Sequence, residues 1–191
     1  MNINDVEDTK EIPENIWEEI FAKQWELALK YKDIEQMGDL LDTLDNNINT
    51  AKGQKWIKDF AWRVTEELSE AYEVYGAHEE HFKEELIDAL HFLVELTIIA
   101  GYKNYTPKFT GSIIEPWDTI FFMGLMCNTL KNKPWKQTQM LTDRVKFYDL
   151  LNKTWQSFYG LLRYNFGNDD EIYQYYFKKH SVNKFRQRSK Y

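Results

Sequence analysis

The sequence predicts an all-α fold, and three features support that prediction. Apolar residues recur every three or four positions over long stretches, as they do in amphipathic helices. No stretch shows the apolar and polar alternation of a half-buried strand, and most glycines and prolines fall between the periodic stretches. With 191 residues, of which 43% are hydrophobic and 16% aromatic, the chain can bury one core of ordinary size. We therefore expect one helical-bundle domain that spans residues 1–191.

The predicted helices follow one another with short breaks. Residues 1–12 are mostly polar and aperiodic, so we expect a loose terminus there. A proline and a glutamate open a first helix that ends near Tyr31, and a break that contains Gly53 follows a second amphipathic stretch. A loop with two glycines and a proline is expected over Gly101 to Ile114. The predicted helical stretches run from Pro13 to Tyr31, Met37 to Ile48, Lys55 to Tyr75, Glu79 to Ala100, Glu115 to Leu130, Thr142 to Phe166, and from Asp169 into the tail.

Charge and composition exclude several classes of protein. The net charge of −7 and the acidic pI near 5.2 argue against a dedicated nucleic-acid binder. The single cysteine, Cys127, cannot form an internal disulfide, which is typical of a reducing compartment. The sequence shows no apolar stretch near residue 1 and no apolar run long enough to span a membrane, so we expect neither export nor membrane insertion. We expect a cytoplasmic protein without nucleic-acid or membrane partners.

The most informative stretch lies between residues 66 and 88, where nine carboxylates accompany a single lysine. It contains two short acidic repeats, Glu67-x-x-Glu70 and Glu85-x-x-Asp88, separated by a turn at Gly76. On a helical wheel the first glutamate falls inside the apolar stripe of its helix and the second falls at its edge. The second repeat continues into an apolar face. These patterns predict a helical hairpin with two facing carboxylate pairs.

Carboxylates in this setting favour a divalent cation. Burial of several ionised carboxylates costs several kcal/mol each unless an opposite charge is supplied. Oxygen ligands without a nearby thiolate suit Mg²⁺ or Mn²⁺ better than Zn²⁺. Because Mg²⁺ usually shares its coordination sphere with substrate phosphates, the site predicts a phosphorylated substrate. The alternative for such acidic faces is plain solvation.

The second informative stretch is the tail, residues 178–191. It has six cations and no acid in an otherwise acidic chain. Such a tail is either a solvated end or a segment that grips phosphate oxygens. Together with a metal-binding hairpin, it fits a polyphosphate held between the two. The cations are Lys178, Lys179, Lys184, Arg186, Arg188 and Lys190.

Three motifs resemble those of a known family, the all-α nucleoside triphosphate pyrophosphohydrolases, and specifically the dimeric dUTPases and their phage dCTPase relatives. The hairpin reads ELSE at 67–70 and ELIDALHF at 85–92, similar to E-x-x-E and E-[IL]-[IV]-D-[IA]-x-H-F. The tail reads YFKKHSVNKFRQRSKY at 176–191, similar to Y-x-x-K-[NH]-x-x-N-x-x-R-Q-x-x-G-Y. Residues 20–27, IFAKQWEL, resemble the motif whose glutamine reaches the nucleobase.

The resemblance implies a function and a set of site residues. It implies Mg²⁺-dependent hydrolysis of a deoxynucleoside triphosphate to the monophosphate and pyrophosphate by a homodimer, with Mn²⁺ as a possible substitute. The tail spacing and the His91-Phe92 pair favour dUTP. The alternative is dCTP or a broader set of deoxynucleotides, since Ala28 stands where the family usually has Asp or Asn. The implied metal ligands are Glu67, Glu70, Glu85 and Asp88, with Glu70 also acting on the attacking water. The implied substrate-binding residues are Gln24, Lys179, His180, Asn183, Arg186, Gln187 and Tyr191.

Two rival interpretations belong to other classes. Asp88-x-x-His91 is similar to half of a di-iron helical-bundle site, but such sites need that motif twice and no second copy is present. We therefore expect His91 to be a hydrogen-bonded, partly buried histidine. The other rival is a non-enzymatic acidic helical protein that binds a partner through its surface.

Overall fold

The computed structural model describes residues 1–31, 37–111, 115–132, 135 and 140–189, and within these residues it contains helices and no strand. The all-α prediction is therefore confirmed. Two 3-10 turns cover Ile3–Asp5 and Leu44–Asn49. No described helix combines the length and the apolar character that a membrane span requires. The α-helices are α1 (Ile16–Tyr31), α2 (Gly38–Asp42), α3 (Ala51–Val74), α4 (Glu79–Ile99), α5 (Pro116–Thr129), α6 (Arg144–Phe166) and α7 (Asp169–Ser189).

Helices α3 and α4 form the predicted hairpin, and α4 is the centre of the bundle. The turn between them passes through Gly76, whose φ of 76° lies in the left-handed region that favours glycine. On α3 the buried stripe includes Val64, Leu68 and Ala71, as the apolar spacing predicts. Every residue of α4 from Leu93 onward is buried, because α1, α3, α6 and α7 all pack against this helix.

Helices α5 and α6 form a second hairpin against the first. Trp155 of α6 is fully buried, and its indole Nε1 donates a hydrogen bond of 2.9 Å to the hydroxyl of Thr97 on α4. Helix α6 ends at Gly167, which has a φ of 77° and lets the chain reverse into α7. Helix α7 then returns along α4 and α1. This path brings the basic tail back to the acidic hairpin.

The region before α3 differs from the prediction. The expected amphipathic stretch from Met37 to Ile48 is divided between α2 and a 3-10 turn, and the expected break around Gly53 lies inside the first turn of α3. The side chain of Thr50 caps α3 by accepting a hydrogen bond of 3.0 Å from the Gly53 amide. A Cβ at this glycine would lie 2.2 Å from the Asn47 carbonyl oxygen. Gly53 is thus needed for a close backbone approach and does not interrupt the helix.

The N-terminal segment has contacts with helix α7. Ile3 is buried, and the Thr9 backbone exchanges two hydrogen bonds of 2.9 Å with the side-chain amide of Gln174 on α7. Asp8 lies 2.5 Å from the amine of Lys178. Helix α7 thus supplies polar partners that the local sequence cannot reveal, and the loose terminus over residues 1–12 stays a prediction. The predicted loop after α4 is present as far as residue 111, and its predicted end at Ile114 lies outside the described residues.

Candidate active site

A cavity of about 350 Å³ opens where α1, α3, α4 and α7 meet. Acidic and basic side chains line one end of it, and a buried polar network closes the other. Apolar walls join the two ends: Leu27 and Phe60 are almost fully buried there, and Phe92 packs against Phe60 with ring centroids 6.2 Å apart. A space of this size and character suits a small ligand with a flat apolar part and a charged part.

The acidic end gathers three of the four predicted metal ligands. Glu67 projects from α3, and Glu85 and Asp88 project from α4. Carboxylate oxygens of these residues all lie within 4.8 Å of one another, and each side chain is partly buried. The hairpin turn and the three-residue spacing on α4 are what bring them together.

The carboxylates of this cluster perturb one another strongly. The pKa of Glu67 is raised from 4.5 to about 8. Burial is the largest cause, the charge of Asp88 is the next, and a hydrogen bond with Glu85 and the charge of Glu85 follow. Burial also raises the pKa of Asp88 to about 6, although the Lys179 amine lies 2.5 Å from its Oδ2 and opposes the rise. Oε1 of Glu85 lies 2.7 Å from the imidazole Nε2 of His81, one turn earlier on α4. Full ionisation of the cluster is therefore unfavourable unless a further cation is supplied.

The donor set fits a hard divalent cation. Among the described residues, the cluster consists of carboxylates alone, without histidine or cysteine. Three converging oxygen donors in a partly buried position suit Mg²⁺ or Mn²⁺ and leave coordination positions for water and phosphate. Glu70 lies one turn after Glu67 on α3 but outside this set of three, and its side chain is exposed. Its charge still contributes to the raised pKa of Glu67, so the two groups share one electrostatic environment.

Helix α7 lines the cavity with residues one turn apart. Lys179, Asn183 and Arg186 follow a spacing of four and then three residues, which places them on one helix face. Lys179 is nearly buried against Asp88, whereas Arg186 is exposed at the rim. This face combines two cations with one amide.

The remaining tail candidates lie elsewhere. His180 is 3% exposed and lies outside the residues that line the cavity. Burial lowers the pKa of its imidazole to about 3. The ring stacks on Tyr176, with ring centroids 6.0 Å apart. Gln187 also lies outside the cavity lining, and its amide has no hydrogen-bond partner within the described part of the chain. Tyr191 lies outside the described residues.

A buried polar network closes the other end of the cavity. Gln24 of α1 donates from Nε2 to Glu95 Oε2 at 2.7 Å. Its Oε1 lies 2.8 Å from Nδ1 of His91 and 3.1 Å from the hydroxyl of Tyr176. Burial lowers the pKa of His91 well below its ordinary value, so this imidazole is neutral. The histidine that the sequence predicts to be hydrogen-bonded and partly buried is hydrogen-bonded and almost fully buried, at 5% exposure.

Sequence reasoning missed Glu95 and Tyr176. Both were visible in principle: Glu95 is the only acid in the apolar run from Phe92 to Ile99, and it follows His91 by one helical turn. Tyr176 precedes Lys179 by three residues and so shares its helix face. The di-iron interpretation loses its support, since His91 faces Gln24 and the described acidic cluster contains no histidine.

An all-α bundle with a carboxylate cluster and a cationic helix face around one cavity has the parts that a helical nucleotide hydrolase needs. A sequence model of the dUTPase family matches residues 33–191, which is most of the chain. The chain belongs to the dUTPase family of the all-α type and is an enzyme of the dUTP diphosphatase type. No curated protein and no solved structure matches the chain significantly. Gln24 lies before the matched residues, so its place in the site rests on geometry.

Proposed function

We propose that this protein hydrolyses dUTP to dUMP and pyrophosphate with Mg²⁺ as its cofactor. One observation carries the proposal: a single cavity joins the cluster of Glu67, Glu85 and Asp88 to the buried amide of Gln24. A charged end and a buried polar end in one cavity suit a nucleotide whose phosphates and base are recognised separately. We further propose that residues 1–191 act as one catalytic domain in the cytoplasm, without nucleic-acid or membrane partners.

Each part of the cavity has a defined task in this proposal. The carboxylates of Glu67, Glu85 and Asp88, together with Glu70, would hold Mg²⁺, which neutralises phosphate charge and lowers the pKa of water when it is bound. Glu70 is the residue that we assign to the attacking water, because it is exposed one helical turn from Glu67 and its charge acts on that residue. Phosphoryl transfer depends mainly on positioning and charge neutralisation, so no covalent intermediate is required.

Helix α7 would hold the phosphates. Lys179 pairs with Asp88 at 2.5 Å in this structure, and the triphosphate would compete for its amine. Arg186 at the rim offers a planar guanidinium that can bind two phosphate oxygens at once. Asn183, between them on the same face, is assigned to the nucleoside. We keep Gln187, His180 and Tyr191 as predicted contacts from the family pattern.

The proposal is tested by pyrophosphate release from dUTP, dCTP, dTTP, dATP, dGTP and UTP in the presence of Mg²⁺. We expect dUTP to be the preferred substrate and excess EDTA to abolish release. Asp88→Asn should be inactive, and Glu73→Gln, an exposed change on α3, should retain activity. Preference for dCTP would favour the alternative, and preference for a purine would reject a pyrimidine site. No release from any nucleotide would favour the non-enzymatic interaction protein.

We also propose a homodimer, and α5 offers the surface for it. Trp117, Phe121 and Leu125 repeat every four residues on one face of this helix and are 69%, 58% and 39% exposed. A contiguous apolar stripe of this kind usually marks an interface. Light scattering should return twice the chain mass of 23.1 kDa, and Phe121→Glu should shift the protein toward that monomer mass. A monomer mass for the unmodified protein at all concentrations would contradict the dimer.

A further inference from the structure

The amine of Lys179 lies between the two charged parts of the site. It is 2.5 Å from Oδ2 of Asp88, and Lys179 also lines the cavity that we assign to the nucleotide. Asp88 belongs to the carboxylate cluster, whose oxygens lie within 4.8 Å of one another. One cation of the protein therefore contacts a proposed metal ligand and adjoins the space proposed for the phosphates.

The ion pair between Lys179 and Asp88 is deeply placed. The two side chains are 13% and 19% exposed, and no other ion pair in the described part of the chain is buried as far on both sides. Partly buried charges are screened by salt much less than charges on the surface. The cluster therefore feels both the attraction of the amine for Asp88 and its repulsion of any second cation.

The same amine opposes a divalent cation at the cluster. Asp88 is one of its three carboxylate donors, and Lys179 already offsets the charge of that donor. A second positive charge close to an ammonium group is disfavoured by like-charge repulsion. As long as the amine has no other acceptor, Lys179 therefore lowers the affinity of the cluster for metal.

A phosphate group supplies that other acceptor. Lysine carries three donors on a flexible four-carbon stem, so its amine can exchange one anion for another without movement of the helix. Phosphate oxygens accept strong, charge-assisted hydrogen bonds from an ammonium group. Lys179 shares a helix face with Asn183 and Arg186, and all three residues line the cavity. A phosphate held along this face would compete with Asp88 for the amine.

We propose that Lys179 couples metal binding to phosphate binding: its amine pairs with Asp88 when no phosphate is bound and moves to a phosphate oxygen when the nucleotide enters, which frees Asp88 for the cation. The inference rests on the proposed function and deepens it. By linkage, each ligand then raises the affinity for the other by the same factor. The enzyme binds metal firmly only together with its nucleotide, which a plain phosphate contact would not bring about.

The metal part is tested with Mn²⁺ alone, whose binding to the full-length protein is measured by electron paramagnetic resonance. We expect Lys179→Met and Lys179→Gln to bind Mn²⁺ at least about fivefold more tightly than the unmodified protein does, the lower end of the usual range for coupled sites. Lys179→Arg keeps the charge and should bind Mn²⁺ as the unmodified protein does. Lys178→Met is the matched control, since Lys178 pairs with Asp8 and lies outside the cavity lining.

The outcome depends on folded variants, which circular dichroism identifies. Lys179→Gln retains a hydrogen-bond donor for Asp88, so it serves if Lys179→Met does not fold. Unchanged or weaker Mn²⁺ binding in the folded variants, or the same tightening in Lys178→Met, would overturn the proposal. Absence of Mn²⁺ binding from the unmodified protein and from every variant would contradict the metal assignment and the proposal with it.

The phosphate part is tested with a dUTP analogue that carries an imido bridge between its α and β phosphorus atoms. Calorimetry gives its Kd in EDTA and in saturating Mn²⁺. Direct contact between metal and phosphate contributes equally in each protein, so a difference between proteins isolates the part carried by Lys179. The ratio of the Kd in EDTA to the Kd in Mn²⁺ should be at least about fivefold smaller in Lys179→Gln than in the unmodified protein.

An equal ratio in the two proteins would overturn the coupling. If the unmodified protein neither binds nor hydrolyses any nucleotide, the proposed function fails. The Mn²⁺ titration would still decide whether Lys179 opposes the metal.

Discussion

The carboxylate of Glu67 should destabilise the metal-free protein at alkaline pH, and its removal should reverse that effect. The pKa of this group rises from 4.5 to about 8 on folding, so the folded state binds a proton that the unfolded state has released. The contribution of Glu67 to the free energy of unfolding is fully present below pH 4.5 and is lost as the pH rises from 4.5 to about 8. The perturbation that we consider is Glu67→Gln, which keeps the shape and removes the charge.

The magnitude follows from the pKa change. Without screening, a rise from 4.5 to about 8 corresponds to a loss of about 5 kcal/mol above the higher value. Because Glu67 is only partly buried, screening by water reduces this to about 1 to 2 kcal/mol. For a chain of 191 residues, this change should raise the melting temperature by roughly 2 to 8 °C.

The assay is thermal unfolding in EDTA at pH 5 and pH 8.5, and again with Mg²⁺. In EDTA at pH 8.5, Glu67→Gln should melt above the unmodified protein, and at pH 5 most of the difference should disappear. With Mg²⁺ the order should reverse, because the unmodified cluster gains a cation and the variant has lost a ligand. Glu73→Gln, an exposed change two helical turns along α3, is the matched control. Equal melting temperatures in EDTA at pH 8.5, or equal stabilisation of both proteins by Mg²⁺, would refute the reasoning.

Three further predictions concern catalysis. Glu70→Gln should lower kcat at least about a hundredfold while the melting temperature changes little, because a general base is lost from an exposed position; near-normal turnover would remove Glu70 from that role. Lys179→Met should raise KM for the nucleotide, and an unchanged KM would contradict a phosphate contact. The same change leaves Asp88 without its cation, so the metal-free protein should lose stability at neutral pH. Deletion of Lys184 to Tyr191 should raise KM strongly and preserve the helical circular dichroism signal, whereas an unchanged KM would identify the tail as solvated charge.

The acidic hairpin could be predicted from the sequence because its signals are local. The spacing of Glu67 against the apolar stripe of α3, and the glycine at the turn, together fix which face each carboxylate occupies. The structure accordingly brings Glu67, Glu85 and Asp88 within 4.8 Å. The position of Glu70 at the edge of the stripe also agrees with its exposure.

Other parts depend on partners far along the chain, and local patterns carry no information about them. Glu95 is hydrogen-bonded to Gln24, a residue 71 positions away. The N-terminal segment is fixed by Gln174, which lies 165 positions from Thr9. In both cases the decisive term is a tertiary contact that overrides composition or propensity. Gly53 is a different case: it resembles a helix breaker in sequence, and a close approach to the nearby backbone carbonyl of residue 47 explains it.

The return of α7 across the bundle has a consequence for how the enzyme is made. Tyr176 reaches Gln24 across 152 positions, and the face of α7 with Lys179 and Asn183 forms one wall of the cavity. Since chains emerge from the ribosome in sequence order, the two acidic helices are available for folding before that wall has been synthesised. A nascent chain that stalls before residue 169 would present a hairpin of crowded carboxylates with no cationic helix beside it. Activity should therefore arise only after α7 has been released, and the cell would hold no partly made enzyme able to consume nucleotides.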